Sequence, residues 1–146
     1  MLNENIKVEI RENYIYAFQS GEDSFENSLE LWTKVHEACC EVNKFKVLGE
    51  SKTANNLSLR DAFQHVKFFE ILDVPVYPKI AWVNHVPEYN ETYHFIETIV
   101  TNRGLADVKL CKNYKEAEEW LLENNYKIER EKENDLLDDR IFIFNK

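Results

Sequence analysis

Glycine is scarce in this chain, three residues in 146, and proline is equally scarce. So few of either leave no long flexible linker for a second domain, and a length of this order fits one core. The same shortage excludes a Gly-x-Ser-x-Gly nucleophile turn, a phosphate-cradling loop and a dinucleotide fingerprint. The cysteines are Cys39, Cys40 and Cys111, an odd number. Cys39 and Cys40 are adjacent within a predicted helix and cannot bond to each other without distorting it, so reduced thiols are expected. No apolar run approaches the roughly 18 residues of a membrane span, and Met1–Ile6 has no signal-peptide core. A cytoplasmic location is expected. Basic side chains number 18 against 27 acidic ones, a formal net charge of −9. With no stripe of lysine and arginine, nucleic acid and stable association with anionic membranes are excluded as partners.

What is present is a regular alternation. Hydrophobic residues make up 44% of the chain, enough for a packed core. Asp23 with Glu26, Ser58 with Asp61, and Asn113 with Glu116 place a capping side chain three positions before a carboxylate; Asn90 opens a further helix without the acid. Ile6, Val8 and Ile10, then a polar break at residues 11–13, then residues 14–18 predict an N-terminal β-hairpin, with Asn13 in the left-handed region. A first helix is predicted over residues 24–42, with Phe25, Leu29, Trp32, Val35, His36 and Cys39 inward. A strand follows at 44–50, then a polar loop at 51–57. The second helix is predicted over 59–72, burying Leu59, Ala62, Phe63 and Val66, and ended by Pro75 and Pro78. The strand at 79–84, apolar on both faces, suits a position covered by helices on both sides. A helix at 91–103 closed by Gly104, a strand at 106–111 and a helix at 114–124 complete the pattern. The fold class is α/β: an N-terminal β-hairpin followed by alternating helices and strands, giving a mixed, mostly parallel sheet flanked by four helices. Residues 1–126 are expected to form the domain. Residues 127–146 are read as a charged C-terminal extension ending in the apolar run Ile141-Phe142-Ile143-Phe144, which needs cover as an edge strand or against a second chain.

This order, with Lys46-Val47-Leu48-Gly49-Glu50, Leu57-Ser58-Leu59-Arg60-Asp61-Ala62-Phe63, Lys79-Ile80-Ala81-Trp82-Val83 and Ala117-Glu118-Glu119-Trp120-Leu121, resembles the STAS-like superfamily and its SpoIIAA-like branch. That fold is shared with the CRAL-TRIO lipid-transfer lobe. The resemblance spans roughly residues 6–122. In antagonist members, a serine opening the helix after the corresponding strand is phosphorylated to switch partner binding, which makes Ser58 a candidate regulatory residue. A phosphate there would add about −1.5 to −2 charges to the helix start. Those members carry an Asp-Ser-Ser-Gly-like turn where this chain has Asn55-Asn56-Leu57-Ser58-Leu59; the residues themselves read Ser58 as an N-cap.

Other constellations are sparse. His36, Cys39 and Cys40 lie close together on one helix, but a zinc site wants three or four ligands and no second pair is present. Glu50 and Lys52, at a strand end, match half of a metal-dependent nuclease site. Phe63, Phe68 and Phe69 cannot all face one way on a helix, because adjacent helical residues diverge by about 100°, and Trp82, Tyr93 and Phe95 lie near them in the fold order. They are the candidate pocket or interface. No metal and no cofactor is expected. The leading expectation is a non-enzymatic SpoIIAA-like domain acting through a protein partner, itself as a homodimer included, in a regulatory or scaffolding role. The alternative is a small apolar ligand or lipid held between sheet and helices; the remote alternative is a metal-dependent hydrolase or nuclease around Glu50 and Lys52.

Overall fold

A hairpin opens the chain. Strand β1 (Ile6–Ile10) pairs antiparallel with β2 (Ile15–Gly21), with Ile10 opposite Ile15. The computed structural model describes residues 4–72 and 77–122. The connection is closed by Arg11 N–H donating to the Tyr14 carbonyl at 3.0 Å. Asn13 does not adopt a left-handed conformation; the one described non-glycine residue that does is Asn43, at the C-cap of helix α1 (Phe25–Val42). That helix is capped by Ser24, whose hydroxyl accepts from Asn27 N–H at 3.1 Å. The expected cap, Asp23, is released for another role. The buried face of α1 is Ser28, Leu31, Val35, Ala38 and Cys39. It is rotated from the predicted stripe, with Trp32 half-buried at its border.

Strand β3 (Lys46–Thr53) extends through Ser51, Lys52 and Thr53 where a loop was predicted. Parallel pairing to β2 carries it on, ending with Gly21 opposite Thr53. The predicted second helix is two pieces, α2 (Leu59–Phe63) and α3 (Val66–Ile71). Strand β4 (Lys79–Asn84) is as expected. Helix α4 (Asn90–Asn102) follows a single 3-10 turn at Pro87–Tyr89 and ends before Gly104, which has φ +69°. Strand β5 (Asp107–Cys111) leads to α5, described over residues 114–122. Asn113 and Glu116 form the predicted cap: Glu116 N–H donates to Asn113 Oδ1 at 2.8 Å, and Glu116 Oε1 accepts from Lys112 N–H at 2.6 Å. The expectations for Pro75, for residues 123–126 and for the tail at 127–146 with Ile141–Phe144 lie outside the described residues.

The five strands lie in chain order, β1-β2-β3-β4-β5, and β2 to β5 run parallel. Right-handed crossovers that always step the same way place their helices on the same face. One face accordingly packs Ile15, Val47, Ile80 and Trp82 against Leu31, Val35 and Val100 of α1 and α4, with Phe69 of α3 alongside. The other packs Tyr16, Leu48, Ala81 and Val83 against Ala117 and Leu121 of α5. Arg11 donating to Tyr114 Oη and Tyr14 donating to Glu118, both at 2.8 Å, fasten α5 to the hairpin. The order of the parallel strands never reverses, so the sheet has no switch-point crevice of the kind that holds dinucleotides. Space for a ligand is found instead between layers.

Candidate functional site

Such a space lies between the sheet and the layer of α1, α3 and α4. Its cause is visible along β3. Val47, Gly49, Ser51 and Thr53 share one face by strand alternation, and all are buried. Small side chains at successive positions leave height above the sheet. Gly49 stands opposite Trp82 in the register, and a Cβ there would run into ring atoms of Trp82. Glycine is what lets the indole lie flat across the sheet. Trp82 Nε1–H then donates to Ser51 Oγ at 2.9 Å, and Ser51 Oγ–H to Tyr93 Oη at 2.8 Å. That chain fixes the indole and the phenol as two walls. Trp32 of α1 forms a third, its ring 5.6 Å from that of Trp82.

The cavity measures about 120 Å³ and is partly open to solvent. Phe68, Phe69, Trp82 and Tyr93, predicted from the aromatic excess, all line it. Phe63 and Phe95 do not. Phe63 is 40% exposed and lies under the Arg103 guanidinium at 5.4 Å; Phe95 is 36% exposed on α4. Phe68 is pinned between the Phe25 ring at 5.3 Å and the His65 imidazole at 4.7 Å.

One end of the cavity is polar. Asp23, between β2 and α1, lines it together with Gln19 and Ser28. The backbone of Asp23 is held at two points by Asn55, whose Oδ1 accepts from Asp23 N–H at 2.8 Å while Nδ2 donates to the Asp23 carbonyl at 3.0 Å. Its carboxylate accepts from Ser28 Oγ–H at 3.3 Å and Gln19 Nε2–H at 3.4 Å. Burial pushes the carboxyl up to about 6 and Asp61 adds to the rise, while the hydrogen bonds from Ser28 and Gln19 oppose it. Burial likewise holds His65 down to about 4 and lifts Tyr93 to about 12. His65 donates from Nδ1 to the Asp61 carbonyl at 3.1 Å, which leaves Nε2 an acceptor.

The remaining predicted residues sit elsewhere. Ser58 is exposed and caps α2, its hydroxyl accepting from Asp61 N–H at 3.1 Å. Glu50 does not stand free beside Lys52: it accepts from Tyr16 Oη–H at 2.6 Å and His85 Nε2–H at 2.8 Å on the opposite face of the sheet. Cys40 Sγ lies 3.6 Å from His36 Nε2, whereas Cys39 points into the core, where burial raises its thiol to about 12. Among the described residues no three His, Cys, Asp or Glu side chains come together as a metal site, and all three cysteines are free. No described helix is long and apolar enough to cross a membrane.

Asp23, Trp32, Ser51 and Asn55 were not singled out as site residues from the sequence. Gly49 inside a strand was the available signal, since an interior strand glycine marks a close approach by another group.

The hairpin, the in-order parallel strands and the helices on both faces define an α/β domain of the SpoIIAA-like fold. Among solved structures, the chain is similar to an uncharacterized protein of the DUF3478 family from Shewanella loihica PV-4 with a SpoIIAA-like fold. The match has 15% identity and a TM-score of 0.50, and covers 80% of this chain and 91% of that one. At that identity the likeness is one of fold. No protein-family profile matches the chain, and no curated protein does.

Proposed function

We propose that this protein is a binding module that holds a small, mostly apolar molecule between its sheet and the α1–α3–α4 layer. The observation that carries the reading is the aromatic-walled cavity with polar side chains converging at one end. An apolar enclosure with a few placed polar groups and a perturbed carboxyl is the usual form of a small-molecule site. Its size sets the ligand class. At about 120 Å³ it is near the ~150 Å³ cavity that accepts benzene and below the ~300–1,000 Å³ of drug-sized pockets. That volume favours a ring-sized body over a long acyl chain. Native mass spectrometry of freshly purified protein, with titration of benzyl alcohol as a ring-sized probe, tests the reading. Co-purifying small-molecule mass or saturable probe binding is expected. Absence of both overturns it.

A second reading, contact with a protein partner, is favoured by the surface of α2 and α3, where Leu59 is 62%, Ile71 55% and Phe63 40% exposed. A second copy of the chain is the occupant that can be tested directly. Light scattering after size exclusion should show a concentration-dependent dimer that Leu59→Glu disperses; a strict monomer at high concentration removes this reading.

A further inference from the structure

Asp23 presents a carboxylate to an apolar cavity with no cation to meet it. Its hydrogen-bond partners are the neutral Ser28 and Gln19, at 3.3 and 3.4 Å. Among the described residues lining the cavity there is no lysine and no arginine. The other carboxylate in the lining, Glu97, is already engaged, accepting from His94 Nδ1–H at 3.0 Å and from Leu110 N–H at 2.9 Å. Asp61, from α2, adds negative charge near Asp23 rather than offsetting it. The walls, meanwhile, are π faces: Trp32, Trp82, Tyr93 and Phe68. Aromatic faces attract cations, most strongly where water is displaced. An anionic ligand would meet two carboxylates and no lysine or arginine; of the two histidines in the lining, His65 is kept neutral by burial and His36 lies against Cys40. A neutral ring would fill the volume and leave the half-buried Asp23 carboxylate without a cation, which is unfavourable.

We propose that the cavity binds a small organic cation, a protonated primary amine on a ring-sized apolar body, with the ammonium against Asp23 and the body between Trp32, Trp82 and Phe68. The inference rests on the cavity being a ligand site and adds the charge of the ligand. An ammonium group has three donors. The Asp23 carboxylate takes one of them, and the Ser28 and Gln19 oxygens beside it are acceptors of the right kind for the others.

Three probes of one shape and different charge test it: benzylamine, benzyl alcohol and benzoate, titrated calorimetrically into the full chain at pH 7.5. Benzylamine should bind at least about tenfold more tightly than benzyl alcohol, a difference of about 1.4 kcal/mol, with benzoate weakest. Asp23→Asn should abolish that preference, benzylamine and benzyl alcohol then binding alike, and a cooperative unfolding transition of the same sample reports that the variant is folded. Asp61→Asn, which removes a nearby charge outside the cavity lining, should keep most of the preference. If benzyl alcohol and benzylamine bind alike to the wild type, the cation inference is overturned and the cavity reading stands. If Asp61→Asn abolishes the preference as fully as Asp23→Asn, direct recognition by Asp23 is overturned. Failure of both probes to bind overturns the inference, and if no small-molecule mass co-purifies either, the cavity reading falls with it.

Discussion

A carboxylate is poorly placed among indoles and phenyl rings, and Asp23 is held there by Asn55 through its backbone rather than by any attraction for its charge. Its folded value, about 6, lies above the ordinary 3.8, so the folded protein binds the proton more tightly than the unfolded chain does. The ionised form therefore weakens the fold. The penalty is absent below the unfolded value and complete above the folded one, so stability should fall as the pH rises between them. Gln19 of β2, Ser28 of α1, Asn55, Asp61 of α2, His65 between α2 and α3, and Tyr93 of α4 surround it or share its cavity, and His65 is kept neutral by burial. Asp23→Asn should stabilise the protein by about 1–2 kcal/mol at pH 7 and by nothing at pH 3.5, measured by denaturant unfolding at both pH values. A destabilised variant at pH 7 would contradict this account. Ser51 makes the opposite case. It is fully buried and accepts the indole N–H of Trp82. Ser51→Ala leaves that donor without its partner and should cost about 1–3 kcal/mol; an unmoved unfolding midpoint would show that the bond contributes nothing.

Elements were legible in the sequence where local chemistry decides them. The strand bounds of β4, the caps at Ser58 and Asn113 and the left-handed Gly104 all follow from residues within a few positions of one another. What failed depended on contacts made elsewhere. Ser51–Thr53 is polar and reads as loop, yet pairing to β2 keeps it extended and packing buries Ser51 and Thr53; tertiary context overrides β-propensity. The break between α2 and α3 has a side-chain cause. The His65 ring takes the Asp61 carbonyl, and the backbone bonds from His65, Lys67 and Phe68 run three residues back instead of four. Leu59 and Phe63, placed inward by the reading of one continuous helix, are exposed in the shorter α2. At Ser58 the element-scale expectation is modest. Ser58→Ala removes an N-cap bond at the start of a five-residue helix and should cost about 1 kcal/mol, whereas Ser58→Asp, also a good cap, should be neutral in thermal unfolding. Strand β3 is less tolerant. Gly49→Ala drives a methyl into the Trp82 ring and should cost about 1–3 kcal/mol or more through displaced packing; a variant that melts with the wild type would mean the indole has room to move.

At the scale of the molecule, the cavity was beyond sequence reasoning because its walls come from separate elements: Trp32 from α1, Trp82 from β4, Tyr93 from α4 and Phe68 from α3. The aromatic excess named several of them; only the register of β3 against β4 says which meet. The same construction distributes stability unevenly. Strands β3 and β4 are paired on both edges and carry fully buried Leu48, Val83 and Ser51. The segment covering part of the cavity is instead α3, six residues long, preceded by the five-residue α2. Helices this short are not stable on their own in water, and this pair leaves Leu59, Phe63 and Ile71 substantially exposed. Amide hydrogen exchange should therefore be slowest in β3 and β4 and fastest in α2 and α3, with local opening rather than global unfolding controlling the latter. Phe68 and Phe69 lie on α3 and line the cavity, so an opening of α3 would uncover it. A saturating ring-sized amine should slow exchange in α2–α3 by about the factor expected from its affinity, and leave the amides of β1 unchanged. Uniform slowing along the whole chain would mean that the ligand reports only global stability, and that the cavity is entered without the cover moving.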